Sequence, residues 1–166
     1  MNTVILKWNP TISSYSMRHY LSDLSVLIKG GDTDFNWSVW EHDKICAGDR
    51  YYMVKLGYGQ TGIVSCGTIT SNPYIDDDWS EQGREVYYVD FEPEVMINPD
   101  TLPILTSREL TNEIPYFDWN KGHSGVVLTV QQASALDVFW QAFIEQNKDA
   151  WTKAENARYK DQLYME

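Results

Sequence analysis

Cysteine is nearly absent from this chain: Cys46 and Cys66 are its two, in 166 residues. Two thiols build neither the disulfide framework of a small secreted domain nor a zinc site with paired Cys-x-x-Cys spacing. Free thiols in a reducing cytoplasm are the expectation. Long apolar runs are also missing. No stretch approaches the ~20 consecutive apolar residues of a membrane-spanning helix, so no membrane association is expected. The opening residues, Met1-Asn2-Thr3-Val4-Ile5-Leu6-Lys7, lack the basic leader and apolar core of a secretory signal. Basic residues are scarce: Lys and Arg number 13 against 24 Asp and Glu, for a net charge of −11. Such a chain repels phosphate backbones over about a Debye length, ~8–10 Å. That argues against non-specific coating of long nucleic acid, though a few well-placed cations would still allow one nucleotide into a local pocket. No internal repeat or low-complexity segment is present.

What the chain has in quantity is aromatic: seven Trp and eleven Tyr, 14% with Phe. That supply excludes a disordered chain, and the length suits one domain with its own core. Val4-Ile5-Leu6 reads as a buried strand ending at Trp8-Asn9-Pro10. A helix over 15–27 follows, capped by Ser13 or Ser14, with Met17, Tyr20, Leu21 and Leu24 on one face and Gly30-Gly31 at its end. Residues 50–56 and 63–70 read as two strands joined by a glycine-rich hairpin, and Gly67 marks a bulge or a close backbone approach. An acidic loop, Asp76-Asp77-Asp78-Trp79-Ser80-Glu81-Gln82-Gly83, precedes a strand over 85–94. Thr106 and Glu109 have the spacing of a helix capping box. A strand over 125–130 leads to a helix from Ala133 whose stripe is Leu136, Phe139, Trp140 and Phe143. After Gln146 the sequence turns polar. The predicted organisation is a domain over 1–146 and a polar helical extension over 147–166. Strands separated by short loops, with a helix near each end, predict an α+β fold.

Few residues suggest catalysis. None of the three histidines, His19, His42 and His123, sits in a Gly-x-Ser-x-Gly or His-x-x-x-His pattern. Asp90 and Glu92 share a strand face, and with His123 they form the one constellation that a small nucleotide hydrolase or nuclease could use. Neither a metal site nor a cofactor site is expected: Gly57-x-Gly59-x-x-Gly62 joins two strands instead of opening a helix, so it is no phosphate cradle. The aromatics suggest recognition. Trp8, Trp37, Trp40, Tyr58 and Trp119 fall in loops or at strand ends beside Asn, Ser and Asp. Such residues either pack into a core or wall a slot in which rings stack on a planar heterocycle and polar groups read its rim. A protein-interaction module of a defence system, marked by an exposed apolar patch, is the remaining alternative.

Ile5-Leu6-Lys7-Trp8-Asn9-Pro10, Tyr15-Ser16-Met17 and Leu21-x-x-Leu24 resemble the opening of EVE domains of the PUA-like superfamily, relatives of YTH and ASCH domains. The resemblance extends through Trp37-Ser38, Gly48-Asp49-Arg50, the Gly62–Tyr74 stretch, Tyr88-Val89-Asp90-Phe91 and Ser124-Gly125-Val126-Val127-Leu128. It implies a small mixed β-barrel with flanking helices. It also implies non-catalytic binding of a modified base, such as methylated or hydroxymethylated cytosine in DNA or RNA, with a restriction-type nuclease as partner. By this resemblance the base pocket comprises Trp8, Asn9, Trp37 and Ser38, with Tyr58, Trp119 and Ser124. Trp8 and Trp37 would stack while Asn9 and Ser38 read the base edge. Lys7, Lys121 and His123 are the expected phosphate contacts.

Overall fold

The fold is described from a computed structural model that covers residues 1–153 and 157–159. Nine strands and three α-helices alternate irregularly among the described residues. Strand β1 (Thr3–Trp8) runs parallel to β3 (Arg50–Lys55), and Ile5 faces Tyr52. Strand β3 pairs antiparallel with β4 (Gly62–Ile69), which pairs with the long β6 (Val86–Ile97). Strand β2 (Phe35–Ser38) closes one edge on β6, and β8 (Val126–Val127) the other on β1. Three short strands complete the sheet: β5 (Tyr74–Asp76) and β9 (Ala157–Tyr159) on β6, and β7 (Leu105–Thr106) on β4. This is the mixed α+β architecture that the spacing of strand and helix signals predicts.

The sheet curls until its two edges meet. Just past β2, the amides of Trp40 and Glu41 donate to the carbonyls of Ser124 and Gly125, at 2.8 and 2.9 Å, just before β8. Gly125 makes that approach possible. A Cβ there would lie 2.4 Å from the Cα of Val39, and its φ of +80° suits glycine. Gly67 acts similarly inside the sheet. The β4–β6 register shifts between Cys66 and Gly67, and a Cβ at Gly67 would fall 2.1 Å from the Glu92 carbonyl oxygen. Both the expected bulge and the close backbone approach are there.

Helix α1 (Met17–Ile28) lays Met17, Tyr20, Leu24 and Leu27 on the core. Its cap is Ser16, whose Oγ accepts from the His19 amide at 3.0 Å, instead of Ser13 or Ser14. Those two serines belong to a turn organised by Asn9, whose carbonyl accepts from Ile12 and Ser13. Helix α2 (Ser107–Glu113) starts with the expected capping box: Thr106 Oγ1 bonds both the Glu109 amide and its carboxylate. Helix α3 (Val130–Lys153) continues through residue 146 without a break. Trp151 is buried against Trp140 and Phe143, and its indole N–H donates to the Pro103 carbonyl at 3.3 Å. The first part of the expected polar extension is therefore core-bearing helix; residues 154–156 and 160–166 lie outside the described residues. No described helix is long and apolar enough to cross a membrane.

Candidate functional site

A cavity of about 850 Å³ opens along the seam where the sheet edges meet. Four chain segments supply most of its wall, and Lys7, His19 and Leu56 add to it. The turn after β1 supplies Asn9, Ser13, Ser14 and Tyr15; β2 and its exit supply Asn36 to Trp40 and then His42. The loop between β5 and β6 supplies Trp79, Arg84 and Glu85, the start of β6 supplies Val86 to Tyr88, and the loop before β8 supplies Gly122 to Ser124. Its volume lies in the range of sites that hold small organic molecules, ~300–1,000 Å³.

Each wall is held by identifiable bonds. Trp37 sits on the edge strand facing inward with Phe35. Its indole N–H donates to the Lys7 carbonyl at 3.1 Å, and Tyr15 meets its ring edge-on at 5.8 Å. The ring is thus fixed while one part of it stays open to the cavity, because Trp37 is half-buried. Tyr15 is anchored in turn by its hydroxyl, which donates to Asp23 at 2.6 Å; burial, reinforced by that carboxylate, pushes its pKa well above the ordinary tyrosine value. The Ser124 hydroxyl accepts from the Lys7 amide at 2.8 Å. Asn9 Oδ1 accepts from the Thr11 amide, which leaves its NH₂ as donor. Ser38 lines the cavity and bonds no other described side chain.

The loop carrying Trp79 and Arg84 is organised by Asp78. Its carboxylate accepts from the Ser80 amide and hydroxyl, and from the amide and Nε of Arg84. These bonds, the Ser80 hydroxyl first, hold the carboxyl well below its usual range. Tyr88 ties the loop to β6: its hydroxyl donates to the Asp77 carbonyl at 2.5 Å and accepts from the Trp79 amide at 3.0 Å. Two parallel ring stacks stand at the walls. Trp40 lies on His123 with ring centroids 3.8 Å apart and planes 3° from parallel, and His42 lies on Tyr87 at 3.6 Å and 11°.

Charge is distributed unevenly. In a chain of net −11, the lining gathers Lys7, Arg84 and all three histidines, against one carboxylate, Glu85. Lys7 is committed locally: its ammonium donates to the carbonyls of Asp118 and Lys121 and lies 5.1 Å from the Phe117 ring centroid. Burial lowers its pKa, partly offset by Asp118. Lys7 therefore fastens the loop that bears His123, where a phosphate contact was expected of it. His19 and His42 each have a carboxylate neighbour, Asp23 and Asp43.

The cavity brings together Lys7, Asn9, Trp37, Ser38, His123 and Ser124 of the expected set. The other four lie elsewhere. Trp8 is fully buried, stacked on Tyr20 at 4.8 Å with its N–H on the Tyr15 carbonyl, so it builds core where a base-stacking ring was expected. Trp119 is likewise enclosed, bonded to the Ile114 carbonyl and packed on Phe117. Tyr58 is exposed on the β3–β4 hairpin, where the Lys55 ammonium lies over its ring. Lys121 is exposed beside Gly122 and does not line the cavity. Asp90 and Glu92 are absent from the lining too. Asp90 accepts from the Tyr74 hydroxyl at 2.5 Å, so the hydrolase constellation does not assemble with His123 in this cavity. Sequence reasoning missed Trp79, Arg84 and Tyr87; an indole and an arginine flanking Ser80 and Gly83 in an otherwise solvated acidic loop were the available signal.

No protein-family model matches the chain, and no curated protein sequence does. Solved structures do match in fold. A hypothetical protein from Leishmania major superposes with a TM-score of 0.59 at 12% identity, covering 89% of this chain and 97% of that one. A protein from Pseudomonas syringae gives 0.52 at 14%, covering 82% and 98%. The YTH domain of Mmi1, solved in complex with RNA, gives 0.50 at 11%, covering 88% and 81%. At these identities the likeness concerns the fold, and the fold is PUA-like: a curled half-barrel sheet with three helices packed on it.

Proposed function

We propose that this chain is a non-catalytic nucleic-acid-binding domain that takes a single base, a modified cytosine in the reading the EVE resemblance favours, into the seam cavity. One observation carries the proposal: in a protein of net charge −11, Lys7, Arg84 and three histidines line an open, aromatic-walled cavity alongside a single lining carboxylate. Trp37 stacks on the base. Asn9 and Ser38 read its edge, and Ser124 completes the rim. Arg84, Lys121 and His123 receive the phosphates. The neighbour solved with RNA supports the ligand class. A restriction-type nuclease partner follows from the same resemblance.

Titration of oligonucleotides with and without modified cytosine, followed by tryptophan fluorescence, tests this. Binding should quench emission. Trp37→Ala should weaken it by about 5- to 150-fold, the worth of one base–aromatic stack of ~1–3 kcal/mol. Absence of binding to every oligonucleotide at low salt overturns the proposal.

A further inference from the structure

We propose that the site is built for single-stranded nucleic acid, with the Trp40–His123 pair as a platform for the nucleotide adjoining the one in the cavity. The inference rests on the base-binding reading above and adds a second subsite to it.

Trp40 is 60% exposed, although indoles are usually hidden. It is nevertheless held in place. Its amide bonds the Ser124 carbonyl, the next amide bonds Gly125, and the ring lies almost perfectly parallel on His123. The imidazole beneath it is positioned as well, because Lys7 and the Asp118 carboxylate fix the loop that carries it. A rigid, solvent-facing aromatic pair at the mouth of a cavity is a stacking surface whose ordering cost is already met. It is distinct from Trp37, which faces the interior of the same cavity from the edge strand. A base on Trp37 and its neighbour on Trp40 would be unstacked from each other, as only a single strand permits without breaking pairs.

Charge points the same way. Arg84 lines the same cavity, 58% exposed and oriented by Asp78 and Ser80. It suits one backbone passing between the loops. A second strand would add a row of phosphates facing a protein of net charge −11, which repels them.

The full chain would be titrated with three probes: 5-methylcytidine monophosphate, a short strand with 5-methylcytosine at its centre, and that strand annealed to its complement, in deoxy and ribo forms. The single strand should bind about tenfold or more tighter than the monophosphate and more tightly than the duplex. Trp40→Ala should cost the strand about fivefold or more beyond what it costs the monophosphate. Replacing the neighbouring nucleotides by abasic spacers should erase that difference. Thermal melts would check that the exposed substitution leaves the fold intact. Equal affinity for strand and monophosphate, or an equal loss for both on Trp40→Ala, overturns the platform and leaves the base pocket standing. A preference for duplex overturns the single-strand assignment. No binding by any probe overturns both this inference and the function it rests on.

Discussion

Trp8 and Trp37 carry the same side chain and differ in what water can reach. Trp8 is enclosed between Tyr15 and Tyr20 with its N–H satisfied, so removing it leaves a cavity in the core. Trp8→Ala should cost about 3–5 kcal/mol, read as a lower urea midpoint at unchanged slope. Trp37→Ala should cost clearly less in the same experiment, and its main effect should appear in ligand titration. The two cysteines divide similarly. Burial pushes the Cys66 thiol up to about 12, with Arg50 partly opposing, whereas Cys46 is exposed. Only the thiolate reacts, so at pH 8 a thiol-counting reagent should find one reactive cysteine in the native chain and two after denaturation. Two reactive thiols in the native state would mean that the region beneath α3 opens readily.

At the scale of elements, local signals were legible where a single residue type decides the geometry. Gly67 is the clearest case. No other side chain fits 2.1 Å from the Glu92 carbonyl, and Gly67→Ala should destabilise by at least about 1–3 kcal/mol, through forced separation of β4 and β6. A thermal melt indistinguishable from that of the parent chain would show that the bulge relaxes freely. The Thr106–Glu109 box and the β1–α1 opening were readable for the same reason. Strand β2 was not. Phe35-Asn36-Trp37-Ser38 contains two poor strand formers, and its extended state comes from pairing with Val89 and its neighbours on β6, far along the chain. The α1 cap was misplaced by a few residues because Ser13 and Ser14 look as apt as Ser16 until the Asn9 turn claims their stretch of chain. Half of the cavity wall was legible through Trp37 and Ser38, which lie on β2, and the loop-borne His123. The other half, Trp79 and Arg84, was hidden in a run of carboxylates whose organising centre, Asp78, is recognisable only from the bonds it accepts.

For the molecule as a whole, the polar stretch after Gln146 and the net charge of −11 are the two points where global structure adds most. Trp151 lies eleven residues beyond Trp140, about three helical turns, and so falls on the same buried stripe despite its polar neighbours. Trp151→Ala should therefore lower stability by roughly 3–5 kcal/mol, a core-sized loss, where a frayed tail would show almost none. The charge bears on binding instead. Single strands lose affinity with a log–log salt slope of about −0.7 per phosphate neutralised. With Arg84 and Lys121 as the fixed cations, the expected slope near neutral pH is about −1.4, and Arg84→Gln should reduce it by about 0.7. Repulsion from the surrounding acidic surface is itself screened by salt, which pulls the slope towards zero. A slope several times steeper would require a broad basic face, for which a chain with 13 basic residues against 24 acidic ones is poorly supplied.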